Sequence, residues 1–340
     1  MEKTIQELEN EFYAQKYYLS YSALNKLLYS PLSFYKHYVL QQKEEKPESY
    51  LVEGKIIHSI MLKNFEDTFI VSHNDLPTDS VKLVLDKLYY WCVNDQKITD
   101  MENVYLSDYE EKIIEILKEI NLHQSLVDDK KTGETGDEKR LKKIVTPGNV
   151  SYFDFLKNKG KKILVDQTTV DNCQLAVSAL LNNAEIYHLL GMDDEMRDID
   201  VFNEVPIQSD LLDIYPFGFK GILDNLVIDN DTNTIYINDL KSTSKTISEF
   251  RETIDFYKYW IQASIYSMLV KDKFKEKDYK YIFTFVVVDK YNQVYAFEVS
   301  SLTMMNWEIE FIAKADEFQY HYVNRSFSLP YKFLTEKVVL

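Results

Sequence analysis

The stretch GFKGILDNLVIDNDTNTIYINDLKSTSK, Gly218 to Lys245, constrains the fold of this chain more than any other. Two arms rich in apolar and β-branched residues flank the run Asp229–Thr234, whose Asn, Asp and Thr tolerate turn conformations. This pattern predicts a β-hairpin. With the turn centred between Asp231 and Thr232, the numbers of paired residues sum to 463. Asp224 then lies directly opposite Asp239, with β-carbons about 4.5–5.5 Å apart. Lys241 shares their face, because strand side chains repeat every two residues. The same face carries Ile222, Leu226, Ile228, Ile235 and Ile237.

Two ionised carboxylates facing each other at the end of an apolar surface repel and lose hydration. They must share a proton, pair with Lys241 or bind a cation. A hard divalent cation answers the whole arrangement, and the lysine beside it can face a phosphate or a water. The alternative is an edge hairpin whose aspartates point to solvent, in a register one residue different; a slip of one removes the argument.

The remaining sequence bounds the reading. Its 340 residues suffice for one large domain or a core with an insertion. A net charge of −16 argues against coating nucleic acid by bulk electrostatics, though not against a local basic groove. No apolar run approaches the ~18 residues of a membrane span. The acidic, amphipathic start MEKTIQELENEF is unlike a signal peptide. Cys92 and Cys173 alone fit a reducing cytoplasm and exclude a four-cysteine centre within one chain.

An α/β (α+β) fold is expected, with a mixed central sheet flanked by helices and a helical N-terminal part. The division expected is a mostly helical part over 1–200 and a core over 201–340, forming one compact unit. Ser20 or Ser22 caps a helix that Ser30-Pro31 ends, and helix resumes from about Glu53. Residues 128–145, including Asp128–Lys143, read as a mobile surface loop. Val170–Leu190 reads as one amphipathic helix with Leu175, Val177, Leu180 and Leu181 among its apolar positions. From 201 the order is β-β-β-α-β-β-α, with Ser248–Val270 as one helix and Leu302–Tyr322 as the last.

Gly221-Ile-Leu-Asp224, then Asp239-Leu-Lys241, then Gln262-Ala-Ser-Ile-Tyr266 resembles the PD-(D/E)XK nuclease superfamily, in particular its RecB-like and RecE-like (exonuclease VIII type) phage DNA exonucleases. Gly54-Lys-Ile-Ile-His58 matches the helical Gly-x-x-x-His of those branches, and SYSALNKLLYSPLSFYKHYV resembles their opening helix pair. The ordered series spans roughly residues 20–300.

The resemblance implies a restriction-endonuclease-like core and a role for each position. Asp224 and Asp239 hold Mg²⁺, for which Mn²⁺ can substitute, and the backbone carbonyl of Leu240 is a third ligand. Lys241 orients the attacking water and stabilises charge on the scissile phosphate. His58 adds a ligand or fixes the metal site. Gln262 and Tyr266, with Ser242 and Thr243, support the site or contact DNA. Glu204 sits where relatives place an acid before the hairpin. Taken alone, His58 could be a hydrogen-bonded core histidine, and Glu204 could face solvent. The runs Lys139–Lys143 and Lys157–Lys162 could touch phosphates or be solvated loops.

The activity implied is Mg²⁺-dependent hydrolysis of DNA at linear duplex ends in a bacterial or phage-infected cytoplasm. A single-strand annealing protein as partner and a homo-oligomeric ring come with that resemblance. Ser30-Pro31 stands where iron–sulfur relatives have Cys-Pro, so no iron–sulfur cluster is expected, and no Gly-x-x-x-x-Gly-Lys-Ser/Thr motif marks a motor. A structure-specific endonuclease, an RNA-cleaving enzyme and a catalytically silent nucleic-acid-binding module remain alternatives.

Overall fold

The computed structural model describes residues 3–42, 49–61, 64–72, 77–158, 162–193, 197–210 and 214–338. Among these residues eight strands follow in chain order. They are β1 (Tyr18–Leu19), β2 (Phe69–Ser72), β3 (Ile163–Asp166), β4 (Ile199–Ser209), β5 (Gly218–Asp229), β6 (Thr234–Thr243), β7 (Lys280–Asp289) and β8 (Val294–Val299). The chain divides into two units, one of Met1–Gly54 with Ala176–Leu340, the other of Lys55–Leu175. The division therefore does not fall near residue 200: residues 1–54 and 176–200 belong with the strands.

The first unit is a six-stranded mixed sheet flanked by helices, in the order β1-β5-β6-β7-β8 with β4 also pairing β5. This is the α/β class expected. Its N-terminal part belongs there because β1 runs parallel to the start of β5, Tyr18 against Gly218 and Leu19 against Phe219. Aromatic packing adds to this, with Phe34 set 5.5 Å from Phe318 and Phe217 set 4.7 Å from Phe318. Ser20 caps the helix Tyr21–Tyr29, and Ser30 caps the next, with Pro31 at its first position. The strand β1, two residues long, was not expected.

One face of the sheet buries Ile235 and Ile237 of β6 and Phe283, Phe285 and Val287 of β7. They pack with Ile261, Ile265 and Leu269 of the helix Tyr259–Lys273 and Phe311 and Phe318 of the helix Ser301–Asn324. The helix expected over Ser248–Val270 is broken at Lys258, whose φ of 57° is left-handed, into Phe250–Tyr257 and Tyr259–Lys273. The helix expected over Val170–Leu190 is likewise two, Gln167–Asn182 and Ala184–Leu189. Asn183 caps the second, and Leu175 and Leu181 are exposed. Among the described residues no helix is long and apolar enough to cross a membrane.

The second unit packs Val84, Leu88, Ile113, Leu117, Ile144 and Phe153 into its own core. It also carries β2 and β3 as a parallel pair, both too short to be evident in the sequence. The segment read as a loop over 128–145 contains the helix Gly136–Ile144. A capping box of Thr135 and Glu138 starts that helix. Arg140 donates to the carbonyls of His123, Gln124 and Leu126, tying the preceding chain to it. One lysine of each basic run is in an ion pair, Lys142 with Glu134 and Lys157 with Asp154; residues 159–161 lie outside the described residues.

Candidate active site

The site is built where β5 and β6 part. β5 pairs β6 through Asn225↔Asn238, Leu226↔Ile237 and onward to Asp229↔Thr234, the register the turn predicted. Phe219 pairs both Ser209 of β4 and Leu19 of β1, so those strands lie on opposite edges of β5. Leu226 pairs both Phe202 of β4 and Ile237 of β6, which puts β6 on the edge of β1. Along that edge, positions 220–224 lie between the end of one ladder and the start of the other. Asp224 stands at this opening and its Oδ2 accepts the amide N–H of Leu240 at 2.8 Å.

On the opposite edge, β4 pairs β5 with Asn203↔Asn225 and Val205↔Leu223, leaving Glu204 across from Asp224. Glu204 has a left-handed φ of 50°, a strained conformation for a residue with a side chain. The side-chain alternation of β5 changes phase here. Phe219 and Leu223 face the core before Asp224, Leu226 and Ile228 after it. Ile222, expected on the apolar face, is 53% exposed for this reason, and Leu223 takes its place.

Three acids thus occupy neighbouring places on three adjacent strands: Glu204, Asp224 and Asp239. Carboxylate oxygens of Glu204 and Asp224 lie within 4.8 Å of each other. Oxygens on opposite sides of one Mg²⁺ are about 4.2 Å apart and on one Ca²⁺ about 4.6–5.2 Å, so the pair is close enough to share a hard cation.

Asp239 is fully buried and turned toward helix and lysine. Its Oδ1 accepts from Gln262 Nε2 at 2.7 Å, and its Oδ2 pairs with Lys241 Nζ. Gln262 Nε2 also donates to Tyr266 Oη at 3.1 Å. Both residues project from the same face of the helix Tyr259–Lys273, one turn apart. Gly221 explains how that helix comes so close: a β-carbon there would sit 2.4 Å from Tyr266 Cε1.

Lys241, its side chain 13% exposed, remains charged. Burial alone would push its pKa down, but the carboxylates of Asp239 and then Asp224 raise it above the ordinary range. Its Nζ lies 4.9 Å from the centre of the Tyr259 ring, a cation–π contact. The break at Lys258 stacks Tyr257 and Tyr259 at 5.4 Å, and the carbonyl of Tyr257 accepts from Tyr21 Oη at 2.7 Å. Burial pushes the phenols of Tyr21, Tyr259 and Tyr266 up, so they stay protonated as donors.

The structure therefore brings together Asp224, Asp239, Lys241, Gln262 and Tyr266. Leu240 meets Asp224 through its amide. At the end of β6, Thr243 Oγ1 accepts from the amide of Lys245, and Ser242 Oγ is 3.2 Å from where a β-carbon on Gly54 would stand. Gly54 lies on the helix Ser49–Met61, which also carries His58 one turn further on. Tyr259 was not among the expected site residues, although Tyr259, Gln262 and Tyr266 form an i, i+3, i+7 stripe that marks one helix face.

No family model matches the chain, and no curated protein matches it. Among solved structures, the chain is similar over its whole length to a protein from Eubacterium rectale provisionally named an exonuclease. The TM-score is 0.48 and the identity 10%, covering 95% of that protein.

Proposed function

We propose that this chain is a metal-dependent deoxyribonuclease that hydrolyses phosphodiester bonds at the ends of linear duplex DNA. The observation that carries this reading is the buried Asp239–Lys241 pair, held by Gln262 beside Asp224 at the opening between β5 and β6. A charged lysine held among acids, at the edge of a sheet opening, suits a substrate that is anionic and approaches together with a cation.

Glu204, Asp224 and Asp239 offer the oxygen donors Mg²⁺ or Mn²⁺ prefers, and the carbonyl of Leu240 and the imidazole of His58 complete the set proposed. Such an ion, when bound, supplies Lewis acidity toward the phosphate and its attacking water. Lys241 donates to a non-bridging phosphate oxygen and stabilises the charge that develops there. Asp239 keeps Lys241 protonated and aimed, Gln262 keeps Asp239 from turning, and Tyr266 buttresses Gln262. Ser242 and Thr243, at the mouth of the opening, suit contacts to the DNA backbone. The role in phage recombination, the annealing partner and the ring assembly rest on the family resemblance alone.

The test is cleavage of linear duplex labelled separately at its 5′ and 3′ ends, beside closed circular DNA, with and without Mg²⁺. The expected result is loss of label from linear ends only with Mg²⁺, and a rate about 10²–10³-fold lower in Lys241→Ala. Resistant ends with nicked circles would make the chain an endonuclease. Intact DNA in every arm would leave a nucleic-acid-binding module without catalysis.

A further inference from the structure

Each acid of the row has an asparagine next to it in sequence: Asn203 before Glu204, Asn225 after Asp224, Asn238 before Asp239. Asn203, Asn225 and Asn238 also form a row, directly paired across β4, β5 and β6. Asn225 and Asn238 are buried, at 3% and 1% exposure. Asn238 Nδ2 donates to Asn225 Oδ1 at 2.7 Å, and Asn225 Nδ2 donates to Asn203 Oδ1 at 3.0 Å. The same two amides reach the end of the helix Ala184–Leu189: Asn238 Nδ2 donates to the carbonyl of Leu189 at 3.0 Å and Asn225 Nδ2 to that of Leu190 at 3.3 Å.

Asn225↔Asn238 is also the last paired position before β5 and β6 part. A side-chain bond across a ladder's final rung fixes where the strands stop pairing and how they diverge. The acids sit one residue beyond that rung. A neutral amide suits the place, since a carboxylate would add repulsion to the acid row and a lysine would compete with Lys241 for Asp239.

We propose that Asn225 and Asn238, assisted by Asn203, are positioning residues that set the spacing of Glu204, Asp224 and Asp239 for a divalent cation. This rests on the metal-dependent reading given above. The plainer role for the pair is to cap these two carbonyls at the helix end. The two roles separate through Gly191. It sits just past that helix with φ of 69°, and a β-carbon on it would meet Val201 Cγ2 at 2.6 Å. Gly191→Ala therefore disturbs the helix end and its two carbonyls while leaving in place the side chains that bond Asn238 to Asn225 and Asn225 to Asn203.

The experiment compares wild type, Asn225→Val, Asn238→Val and Gly191→Ala. It measures melting temperature without metal, Mn²⁺ affinity by calorimetry, and the Mn²⁺ concentration giving half-maximal cleavage. The asparagine variants weaken Mn²⁺ binding and raise the cleavage midpoint by about 10–100-fold, the usual consequence of losing groups that orient metal ligands. Gly191→Ala melts lower yet keeps both metal values within about twofold of wild type. Asn225→Thr and Asn238→Thr, which retain one hydroxyl partner, fall between wild type and valine and serve if the valine variants do not fold.

Asparagine variants that melt lower with unchanged Mn²⁺ values would overturn the positioning role and leave the metal reading intact. Wild type that binds no Mn²⁺ would overturn both. Wild type that binds Mn²⁺ but cleaves nothing would overturn the nuclease reading alone, with the calorimetric values still deciding the inference.

Discussion

Gly221→Ala is a sharp test of how the helix Tyr259–Lys273 holds the site. Gly221 lies outside the left-handed region, so alanine costs nothing in backbone conformation and would ordinarily stabilise by about 0.4–1 kcal/mol. Here the added β-carbon would lie 2.4 Å from Cε1 and 2.9 Å from Cδ1 of Tyr266. Carbon atoms pack at about 3.5–4.0 Å, so the ring must recede by roughly 1 Å. Tyr266 is 8% exposed, with no room to do so freely. Overpacking of this kind costs about 1–3 kcal/mol. For a unit of this size each kcal/mol lowers the melting temperature by about 2–4 °C. The same shift moves the Tyr266 hydroxyl from Gln262 and loosens Gln262 on Asp239, and misplacement by about 1 Å at a reacting centre can cost roughly 10²-fold in rate. Thermal unfolding and cleavage of end-labelled duplex measure the two effects. Tyr266→Leu in the alanine background returns space and melting temperature but not cleavage. An alanine variant that melts and cleaves like wild type refutes the close approach. One that melts lower yet cleaves normally refutes the chain from Tyr266 through Gln262 to Asp239.

Lys241→Met leaves Asp239 buried without its cation and destabilises by about 3–5 kcal/mol, most of which the double variant with Asp239→Asn recovers in denaturant titrations. The folded pKa of Lys241 is raised, so the stability from its charge is fully present below the ordinary value of 10.5 and is lost as pH rises through the folded value. The gap between wild type and the double variant is therefore constant through neutral pH and narrows only in strong alkali. Arg140→Ala removes three carbonyl partners and opens the chain before Gly136 to limited proteolysis; resistance equal to wild type would mean that the helix stands without it.

The hairpin was legible because its turn chemistry and two-residue period both act locally. The pairing from Asn225 to Asp229 followed from counting, but β5 and β6 part at Asp224, which therefore meets the amide of Leu240 instead of pairing directly with Asp239. The phase change at Asp224 was not legible, because Leu223, Leu226, Val227 and Ile228 are all buried, so no polar positions mark which face is which. The left-handed Lys258 and Glu204 carry no signal either, since neither residue type favours that conformation. Residues 128–145 misled by composition: their charges serve a capping box and an arginine clamp, which depend on positions and not on hydropathy. The asparagine row escaped notice because buried amides look like ordinary surface residues until the strands are aligned.

The pairing of β1 with β5 also bears on how the chain is made. Tyr18 and Gly218 meet in the finished sheet with the whole of Lys55–Leu175 intervening in sequence. On a ribosome adding about 5–20 residues per second, the first segment emerges and then waits on the order of ten seconds or more for its partner strand. The intervening segment, contiguous and rich in short-range helical contacts, can fold during that interval. Synthesis order thus separates an early step within this segment from a late one that joins both ends of the chain. During the delay Leu19, Leu24, Leu27 and Phe34 remain without the strands that later bury them, the period when the nascent protein is most exposed to aggregation.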